Sequence, residues 1–376
     1  MKIVNTGDSY SIFTDNLKTY DKLPAQCYQV VFSKDQGFFL VKQPNIVVGE
    51  KIYGVHLNKV EKVIRSYKDF SRNLGVILSG AKGIGKTLFS KLLAARAVEE
   101  GYPLIIVNTF IPGIADFINS IDQEVVVLFD EFDKVYAASR GAANNEVGSR
   151  NDPQTQMLTL FDGLSFGKKL FIITCNEIEK LNEFLVNRPG RFHYHFRFNY
   201  PNADEIREYL TDNIPESAYD EIPDVIRFSK RVDLNYDCLR SIAYEISSGI
   251  PFKEAIKDLN ILNIGAIHYD VRLVFENGVV FSKRINWNYH EDGERRDLSL
   301  NYKGATIYVS FSEHSIESDV AREDLFVSAD NLRIDWETDM DYIPKNMVEE
   351  YKALQDVPVV RLDLVKALSK SLHYSI

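Results

Sequence analysis

The sequence predicts an α/β fold, in which a central parallel sheet is followed by a helical subdomain and then by a mainly β domain. Three observations lead to this prediction. Short, continuous apolar runs alternate with helical patterns between residues 74 and 198, which is typical of a parallel sheet covered on both faces. Apolar residues then recur at helical spacing over 203–262, and strand-like runs return over 267–334.

Composition limits the classes of protein to which the chain can belong. Its 376 residues are enough for two or three domains, and 45% hydrophobic with 26% charged residues is typical of folded globular proteins. The 54 acidic residues outnumber the 44 basic ones, which gives a net charge of −10. This balance disfavours a surface that binds nucleic acid or anionic membranes throughout.

Cysteine usage and hydropathy indicate a cytoplasmic protein without a membrane partner. Cys27, Cys175 and Cys238 are far apart and show no metal-site spacing, so we expect reduced, mostly buried thiols. The first residues lack the apolar core of a signal peptide, and no run of about 18 apolar residues occurs.

The order of these patterns divides the chain into four expected parts. We assign 1–50 to an N-terminal β unit, 51–200 to the α/β subdomain, 201–263 to the helical subdomain and 264–376 to the C-terminal β-rich domain. The first part contains two apolar runs separated by a hairpin-like turn. The last part is expected to end in a helix with Leu362, Val365 and Leu368 on one side.

The most specific motif follows the first apolar run of the α/β subdomain and precedes a helical pattern beginning at Leu88. It has the form GxxxxGK[ST] and comprises Gly80, Ala81, Lys82, Gly83, Ile84, Gly85, Lys86 and Thr87. Backbone N–H groups of such a loop surround phosphates, while the lysine reaches the β and γ phosphates and the threonine hydroxyl coordinates Mg²⁺. A chance glycine-rich loop is the alternative, which the flanking strand and helix disfavour.

Two carboxylates follow the apolar run 125–129. Asp130 is placed to enter a Mg²⁺ shell, and Glu131 is placed to act as the base for an attacking water. An ordinary solvated loop is the alternative interpretation of this pair.

Further polar residues follow the run 170–174. Asn176 reaches the same carboxyl edge of the sheet, where it can orient the water or contact the γ-phosphate. Arg188 and Arg191 flank a Pro-Gly turn, and guanidinium groups held on a turn suit neutralisation of a transferring phosphoryl group, either within the chain or from a neighbouring subunit.

Taken together, the motifs GAKGIGKT, VVVLFDEFD, QMLTLFDGL, ITCNE and NRPGRF resemble those of the AAA+ ATPases, in particular the AAA subfamily in the narrow sense. The resemblance covers residues 50–250. It implies a P-loop sheet with a helical lid and binding of ATP and Mg²⁺. It also implies assembly into homo-oligomeric rings, commonly hexamers. A weaker resemblance to phage-encoded members implies a host-cytoplasmic location.

The resemblance also implies roles for individual residues. Lys86 and Thr87 match the Walker A pair, and Asp130 and Glu131 match the Walker B pair. Asn176 matches sensor 1. Arg188 and Arg191 match arginine fingers that act on the neighbouring subunit.

Other positions implied by the resemblance have open alternatives. Tyr53 and Gly54 lie where family members contact adenine. Phe110 matches the pore aromatic that grips substrate, with packing in the core as its alternative. The segment 139–150 is either a second pore loop or a surface loop, and Arg240 is either a sensor 2 residue or a solvated side chain.

The leading interpretation is therefore an ATP hydrolase that forms a ring and remodels or translocates a protein client. A DNA motor for replication or packaging, and a scaffold whose assembly is controlled by nucleotide, are the alternatives. Acidic residues outnumber basic ones in 264–376, which disfavours a nucleic-acid platform there.

Overall fold

A computed structural model describes residues 2–14, 17–49, 51, 53, 56–136, 152–162, 167–261, 267–287, 295–319, 324–337 and 342–367. The chain divides into two compact units, Met1–Tyr200 and Pro201–Ile376. None of the helices within these ranges combines the length and the apolar character that crossing a lipid bilayer requires.

The first unit alternates strands and helices. Its described strands are β1 (Lys2–Thr6), β2 (Ser9–Phe13), β3 (Cys27–Ser33), β4 (Gly37–Gln43), β5 (Leu74–Ser79), β6 (Leu104–Val107), β7 (Val125–Phe129), β8 (Lys169–Cys175) and β9 (Tyr194–Arg197). Its described helices are α1 (His56–Asp69), α2 (Lys86–Glu99), α3 (Ile114–Asn119), α4 (Phe132–Val135) and α5 (Pro153–Phe161).

Seven of these strands form one sheet in the order β4-β3-β6-β7-β8-β5-β9. All neighbouring pairs are parallel except β3 and β4. The prediction of a parallel sheet in the central part of the chain is thus confirmed. Because β5, β7 and β8 run in the same direction, the residues that follow them lie at the same edge of the sheet.

Side chains along each strand alternate between two cores, one on each face of the sheet. In β7, Val125 and Val127 belong to the core formed with α3, α4 and α5, whereas Val126 and Leu128 belong to the core formed with α1 and α2. Every residue of β5, β7 and β8 is buried. Burial on both faces explains why these strands are continuous apolar runs in the sequence.

The N-terminal segment does not form a single β unit of its own. The hairpin β3–β4 extends the central sheet, because Cys27 pairs in parallel with Leu104 of β6. The strands β1 and β2 instead form a separate two-stranded sheet. The expected boundary at residue 50 therefore does not separate the N-terminal strands from the central sheet.

The second unit begins with the helices predicted for 203–262. These are α6 (Ala203–Asn213), α7 (Ile222–Ser229), α8 (Tyr236–Ser247) and α9 (Phe252–Asp258). A capping box starts α6, since the side chain of Asn202 accepts from the N–H of Glu205 and the Glu205 carboxylate accepts from the N–H of Asn202. Leu210, Val225 and Ile242 are among the residues that these helices bury.

An antiparallel sheet follows these helices. Its strands are β10 (Ile267–Phe275), β11 (Val280–Trp287), β12 (Arg295–Tyr302), β13 (Ala305–Ser312), β14 (Ile316–Asp319), β15 (Asp324–Ser328), β16 (Arg333–Trp336) and β17 (Val359–Lys366), and the helix α10 (Val348–Leu354) precedes β17. The strand order is β14-β15-β17-β10-β11-β12-β13-β16. The mainly β character predicted for this part is therefore present.

The prediction of a helix through Leu362 and Val365 is wrong. These residues lie in β17, where Leu362 pairs with Leu273 of β10 on one side and with Val327 of β15 on the other. Leu362 and Leu364 are both buried, so the period of this segment is two. Leu368, the third residue of the expected helix, is outside the described residues.

Candidate functional site

The phosphate-loop motif joins β5 to α2 with a backbone that needs glycine at both ends. Gly80 has φ 143°, and a Cβ there would lie 2.3 Å from the carbonyl oxygen of Phe198. Gly85 has φ 95° and forms the N-cap of α2. The left-handed region favours glycine. The loop thereby brings the N-terminus of α2, with its free N–H groups, to the carboxyl edge of the sheet.

Lys86 is the buried cation of this loop. It is 7% exposed, and its Nζ donates to the carbonyls of Gly80 (2.7 Å) and Ala81 (2.5 Å) and to Oδ1 of Asn176 (2.9 Å). Burial lowers the pKa of Lys86, while the carboxylates of Asp133 and Asp130 act in the opposite direction. The structure therefore brings together two predicted site residues, Lys86 and Asn176, that are far apart in sequence.

Asp130 and Glu131, the predicted Walker B carboxylates, follow β7, and Thr174 of β8 links them. The hydroxyl of Thr174 donates to Oδ1 of Asp130 (2.6 Å) and accepts from the backbone N–H of Glu131 (2.8 Å). Thr174 is 1% exposed. Sequence reasoning missed this residue, and the available signal was a hydroxyl directly after the apolar run 170–173.

Glu131 has an unusual backbone and a partly exposed carboxylate. Its φ of 49° and ψ of 46° are left-handed, which is uncommon for residues other than glycine and costs about 1–2 kcal/mol. Its side chain forms an ion pair with Lys134. The ammonium group of Lys134 holds the pKa of Glu131 below its usual value, so the carboxylate is ionised at neutral pH.

A third carboxylate, Asp133, fixes the backbone at Asn176. Its Oδ2 accepts from the N–H groups of Asn176 (3.0 Å) and Glu177 (3.1 Å), and the residue is 2% exposed. Sequence reasoning did not assign a role to Asp133. The ends of β7 and β8 are therefore linked by two side chains, Thr174 and Asp133.

Thr87 and Asp130 fit a Mg²⁺ bound together with nucleotide. Thr87 lies exposed in the first turn of α2, and Asp130 is held by Thr174 at the neighbouring strand end. Within the described ranges, no group of three or more His, Cys, Asp or Glu side chains is arranged to hold a metal. Mg²⁺ is usually bound through one or two protein carboxylates and substrate phosphates, so this sparse donor set suits it.

The two predicted arginine fingers have different environments. Arg188 is exposed, and its guanidinium lies 5.2 Å from the ring centroid of Phe184. The side chain of Arg191 is only 11% exposed and forms an ion pair with Asp162. The sequence did not distinguish these two arginines.

The turn that carries the arginines contacts the strand that leads into the phosphate loop. The N–H of His193 donates to the carbonyl of Gly75 in β5 (2.9 Å). A Cβ at Gly75 would lie 2.4 Å from the carbonyl oxygen of Arg191 and 2.5 Å from the ring of Phe192. Only glycine at this position permits that approach.

Phe110 packs against the core of the first unit. It is half-buried, and its ring centroid lies 5.3 Å from that of Tyr136. It also lines a cavity of about 200 Å³ together with Gly113, Gln156 and Met157. This packing agrees with the core alternative, and the pore role stays a prediction.

The remaining predictions concern Tyr53, Gly54, Arg240 and the segment 139–150. Tyr53 is half-buried, with the ammonium of Lys51 at 5.2 Å from its ring centroid. Arg240 is an exposed side chain that pairs with Asp237 (3.7 Å). Gly54 and the segment 139–150 are outside the described residues.

Residues 76–200 match the family described as "ATPase family associated with various cellular activities (AAA)". An "AAA ATPase forming ring-shaped complexes" of Corynebacterium kroppenstedtii is 29% identical over 166 residues, which are 38% of this chain and 29% of that protein. A "Proteasome-associated ATPase" of Mycolicibacterium smegmatis is 26% identical over 188 residues, or 41% and 30% of the two chains. An "ATP-dependent zinc metalloprotease FtsH 1" of Phytoplasma mali is 30% identical over 147 residues, or 36% and 24%.

The chain spans less than a third of the length of each of these relatives. The match begins within β5 and ends after β9, so it contains the predicted phosphate loop, Asp130 and Glu131, Asn176 and the turn with Arg188 and Arg191. The prediction of an ATP-hydrolysing enzyme is confirmed for this segment by the family and by the names of the relatives. Over residues 76–200 the chain is therefore similar to the AAA ATPase family.

Proposed function

We propose that the protein is a Mg²⁺-dependent ATP hydrolase that assembles as a homo-oligomeric ring and remodels or translocates a protein client. One observation carries the proposal: Lys86, Asp130, Glu131 and Asn176 converge at one edge of the sheet. Thr174 bonds to Asp130 and Glu131 there, Asp133 bonds to the backbone of Asn176, and the side chain of Asn176 contacts Lys86. Their chemistry is that of phosphoryl transfer, which depends on positioning and charge stabilisation.

Each residue has a distinct task in this proposal. Lys86 exchanges its contacts with the loop carbonyls for phosphate oxygens. Thr87 and Asp130 would hold Mg²⁺, which neutralises charge on the β and γ phosphates when bound. Glu131 accepts a proton from the water that attacks the γ-phosphorus, and the bond from this phosphorus to ADP breaks. Asn176 orients that water.

Ring assembly is supported by the exposed position of Arg188 and by the printed name of the relative from C. kroppenstedtii. An exposed guanidinium on a rigid turn can enter the nucleotide pocket of the next copy. Repetition of such a head-to-tail contact closes a ring when the rotation between copies permits. Six copies per ring, the helical lid role of 201–263 and a phage origin stay predictions.

A protein client is the preferred substrate class. Relatives named as proteasome-associated ATPases and as an ATP-dependent protease support it, as does the net charge of −10. A DNA motor needs cationic surface that contacts phosphates, and binding of this kind weakens steeply with salt.

The proposal is tested with purified wild-type, Glu131→Gln and Lys86→Ala proteins. We expect the wild type to hydrolyse ATP. We expect Glu131→Gln to bind ATP with turnover reduced about 10²-fold or more, and Lys86→Ala to lose nucleotide binding. Light scattering with ATP should show a multiple of the 43.1 kDa chain mass for Glu131→Gln but not for Lys86→Ala. Wild-type turnover equal to that of Lys86→Ala would refute the proposed activity.

The client class is tested by adding an unfolded protein or single-stranded DNA to the wild type. Stimulation of ATP turnover by the unfolded protein supports a protein remodeller. Stimulation by DNA that is lost at high salt assigns the protein to the DNA motors. Assembly with ATP but no stimulation by either polymer favours the scaffold.

A further inference from the structure

We infer that Thr174 is a positioning residue, whose hydroxyl selects the oxygen of Asp130 that faces the metal and fixes the backbone from which Glu131 projects. This inference rests on the proposed ATP hydrolysis at the same site. It concerns a residue that is not itself placed to contact nucleotide or metal.

The sheet register brings Thr174 beside Asp130. Phe129 of β7 pairs with Ile173 of β8, so the next residues along the two parallel strands are Asp130 and Thr174. Strand alternation places Leu128 and Ile172 on the face of the sheet that carries α2. The same alternation continues to Asp130 and Thr174, which therefore lie on the side of the phosphate loop.

The direction of each hydrogen bond at Thr174 is fixed by its partners. The backbone N–H of Glu131 can only donate, so the Thr174 oxygen accepts this bond (2.8 Å). The single hydroxyl proton is then directed to Oδ1 of Asp130 (2.6 Å). An ionised carboxylate has two oxygens, and this bond engages one and leaves Oδ2 to face a metal.

The second bond constrains Glu131. This residue has a left-handed backbone that its side chain does not favour, with φ 49° and ψ 46°. The hydroxyl of Thr174 anchors its N–H from a strand that is fully buried. Loss of the hydroxyl therefore disturbs the proposed metal ligand Asp130 and the proposed proton acceptor Glu131 together, although both follow β7 and Thr174 belongs to β8.

Threonine suits this task better than a more flexible side chain. Branching at Cβ restricts χ1, and 1% exposure leaves the side chain little freedom. Outer partners of metal ligands typically contribute 10- to 100-fold to metal affinity or activity. We expect an effect of this size at Thr174.

The decisive experiment measures metal binding apart from turnover. Mn²⁺ serves as a spectroscopic substitute for Mg²⁺, and its binding in the presence of ATP is followed by EPR in the Glu131→Gln background. The variants are Thr174→Val, which replaces the hydroxyl by a methyl group, Thr174→Ser, which retains it, and Ile172→Val as a packing control in the same strand.

We expect Thr174→Val to weaken Mn²⁺ binding about 10-fold or more, and Thr174→Ser and Ile172→Val to remain within about 3-fold of the parent. In otherwise wild-type protein, Thr174→Val should lower kcat about 10- to 100-fold and raise the Mg²⁺ concentration needed for half-maximal rate. ATP binding in EDTA should stay unchanged, which a general loss of structure would not allow.

Unchanged Mn²⁺ affinity and kcat in Thr174→Val would overturn the inference. Losses of Mn²⁺ affinity and kcat in Thr174→Ser as large as those in Thr174→Val would overturn it as well. If Thr174→Val does not fold, Thr174→Cys replaces it, because a thiol hydrogen-bonds weakly. If wild-type protein neither binds Mn²⁺ with ATP nor hydrolyses ATP, the proposed function itself fails. If it does both while Thr174→Val is unimpaired, only the role of Thr174 fails.

Discussion

Arg191 forms a bidentate ion pair with Asp162. Nε donates to Oδ1, and Nη2 donates to Oδ2 at 2.7 Å, while Nη1 donates to the carbonyl of Phe184 at 2.6 Å. Arg188 lies three residues earlier on the same turn and is exposed. The two arginines of this turn are therefore not equivalent, and their substitutions should have different effects.

Arg188→Ala should abolish ATP turnover and leave nucleotide binding intact. The guanidinium is exposed on its own chain, so its removal should not disturb the fold, whereas an arginine acting on a transferring phosphoryl group contributes about 10³-fold or more. Steady-state kinetics measures ATP turnover, nucleotide titration measures binding, and thermal denaturation measures the stability of the fold. Lys180→Ala, which removes an exposed cation eight residues earlier in the chain, is the control.

Mixing two inactive variants shows whether Arg188 acts between subunits. A subunit with Arg188→Ala keeps its nucleotide pocket, and one with Glu131→Gln still binds ATP, assembles and keeps its arginine. Mixed rings should therefore recover part of the wild-type rate. Wild-type turnover in Arg188→Ala alone would show that the arginine finger assignment is wrong, and absence of recovery in the mixture would rule out action between subunits.

Arg191→Ala should destabilise the fold as well as affecting activity. Its removal leaves the Asp162 carboxylate and the Phe184 carbonyl without their shared donor, and we expect a loss of about 1–3 kcal/mol in the free energy of unfolding. Urea denaturation measures this loss, with Arg188→Ala as the comparison. Equal stability of the two variants would mean that the ion pair contributes nothing to folding.

Phe110→Ala separates the pore role from the core role. If Phe110 grips a client, the variant should retain basal ATPase activity and lose client-stimulated turnover. If packing against Tyr136 is its main role, the free energy of unfolding should fall by about 1–2 kcal/mol with stimulation unchanged. Phe117→Ala removes another half-buried ring, which stacks on Phe38, and is the control for lost packing.

Because of Lys169, the free energy of unfolding should increase as the pH rises above 8. The side chain is fully buried, and this burial lowers its pKa to about 8 from the ordinary 10.5. Between these values the unfolded chain binds more protons than the folded chain, so the free energy of unfolding increases with pH. We expect a rise of about 2 kcal/mol from this group between pH 7.5 and 9.5.

The measurement compares urea denaturation of wild type and Lys169→Gln at these two pH values. The Gln amide can still donate to the carbonyls of Ile121 and Gly167, which Lys169 Nζ reaches at 2.7 and 3.0 Å. It carries no charge, so the variant should lack the increase attributed to Lys169. The same increase in both proteins would contradict the prediction.

The parts of the fold that are local in sequence could be predicted from it. Buried parallel strands are continuous apolar runs, and the glycine pattern around Lys86 reflects a backbone that needs left-handed φ values. Motif spacing therefore predicted that Asp130 and Asn176 lie at the sheet edge that carries Lys86, and the role of Arg188 stays a prediction.

The parts that depend on distant pairing could not be predicted in this way. Addition of β3 to the central sheet requires Cys27 to meet Leu104, and no local pattern encodes that partner. Leu362 and Val365 are three residues apart, a spacing that also fits a helix. Only the pairing of β17 with β10 and β15 shows that the segment is a strand. Thr174 was missed for a similar reason, because its role arises from a neighbouring strand.

The close approach at Gly75 links the strand that leads into the phosphate loop to the turn that carries Arg188. Because Gly75 has no side chain, β5 contacts the turn that carries Arg188 through backbone atoms, so a displacement of β5 would be transmitted to that turn. The strand also continues into the phosphate loop, so a shift of β5 on nucleotide binding would also displace the turn that carries the arginine. In the proposed ring, this backbone contact would couple one nucleotide pocket to the arginine offered to the next, and a side chain at Gly75, whose Cβ would lie 2.4 Å from the carbonyl oxygen of Arg191, should displace the turn and weaken that coupling.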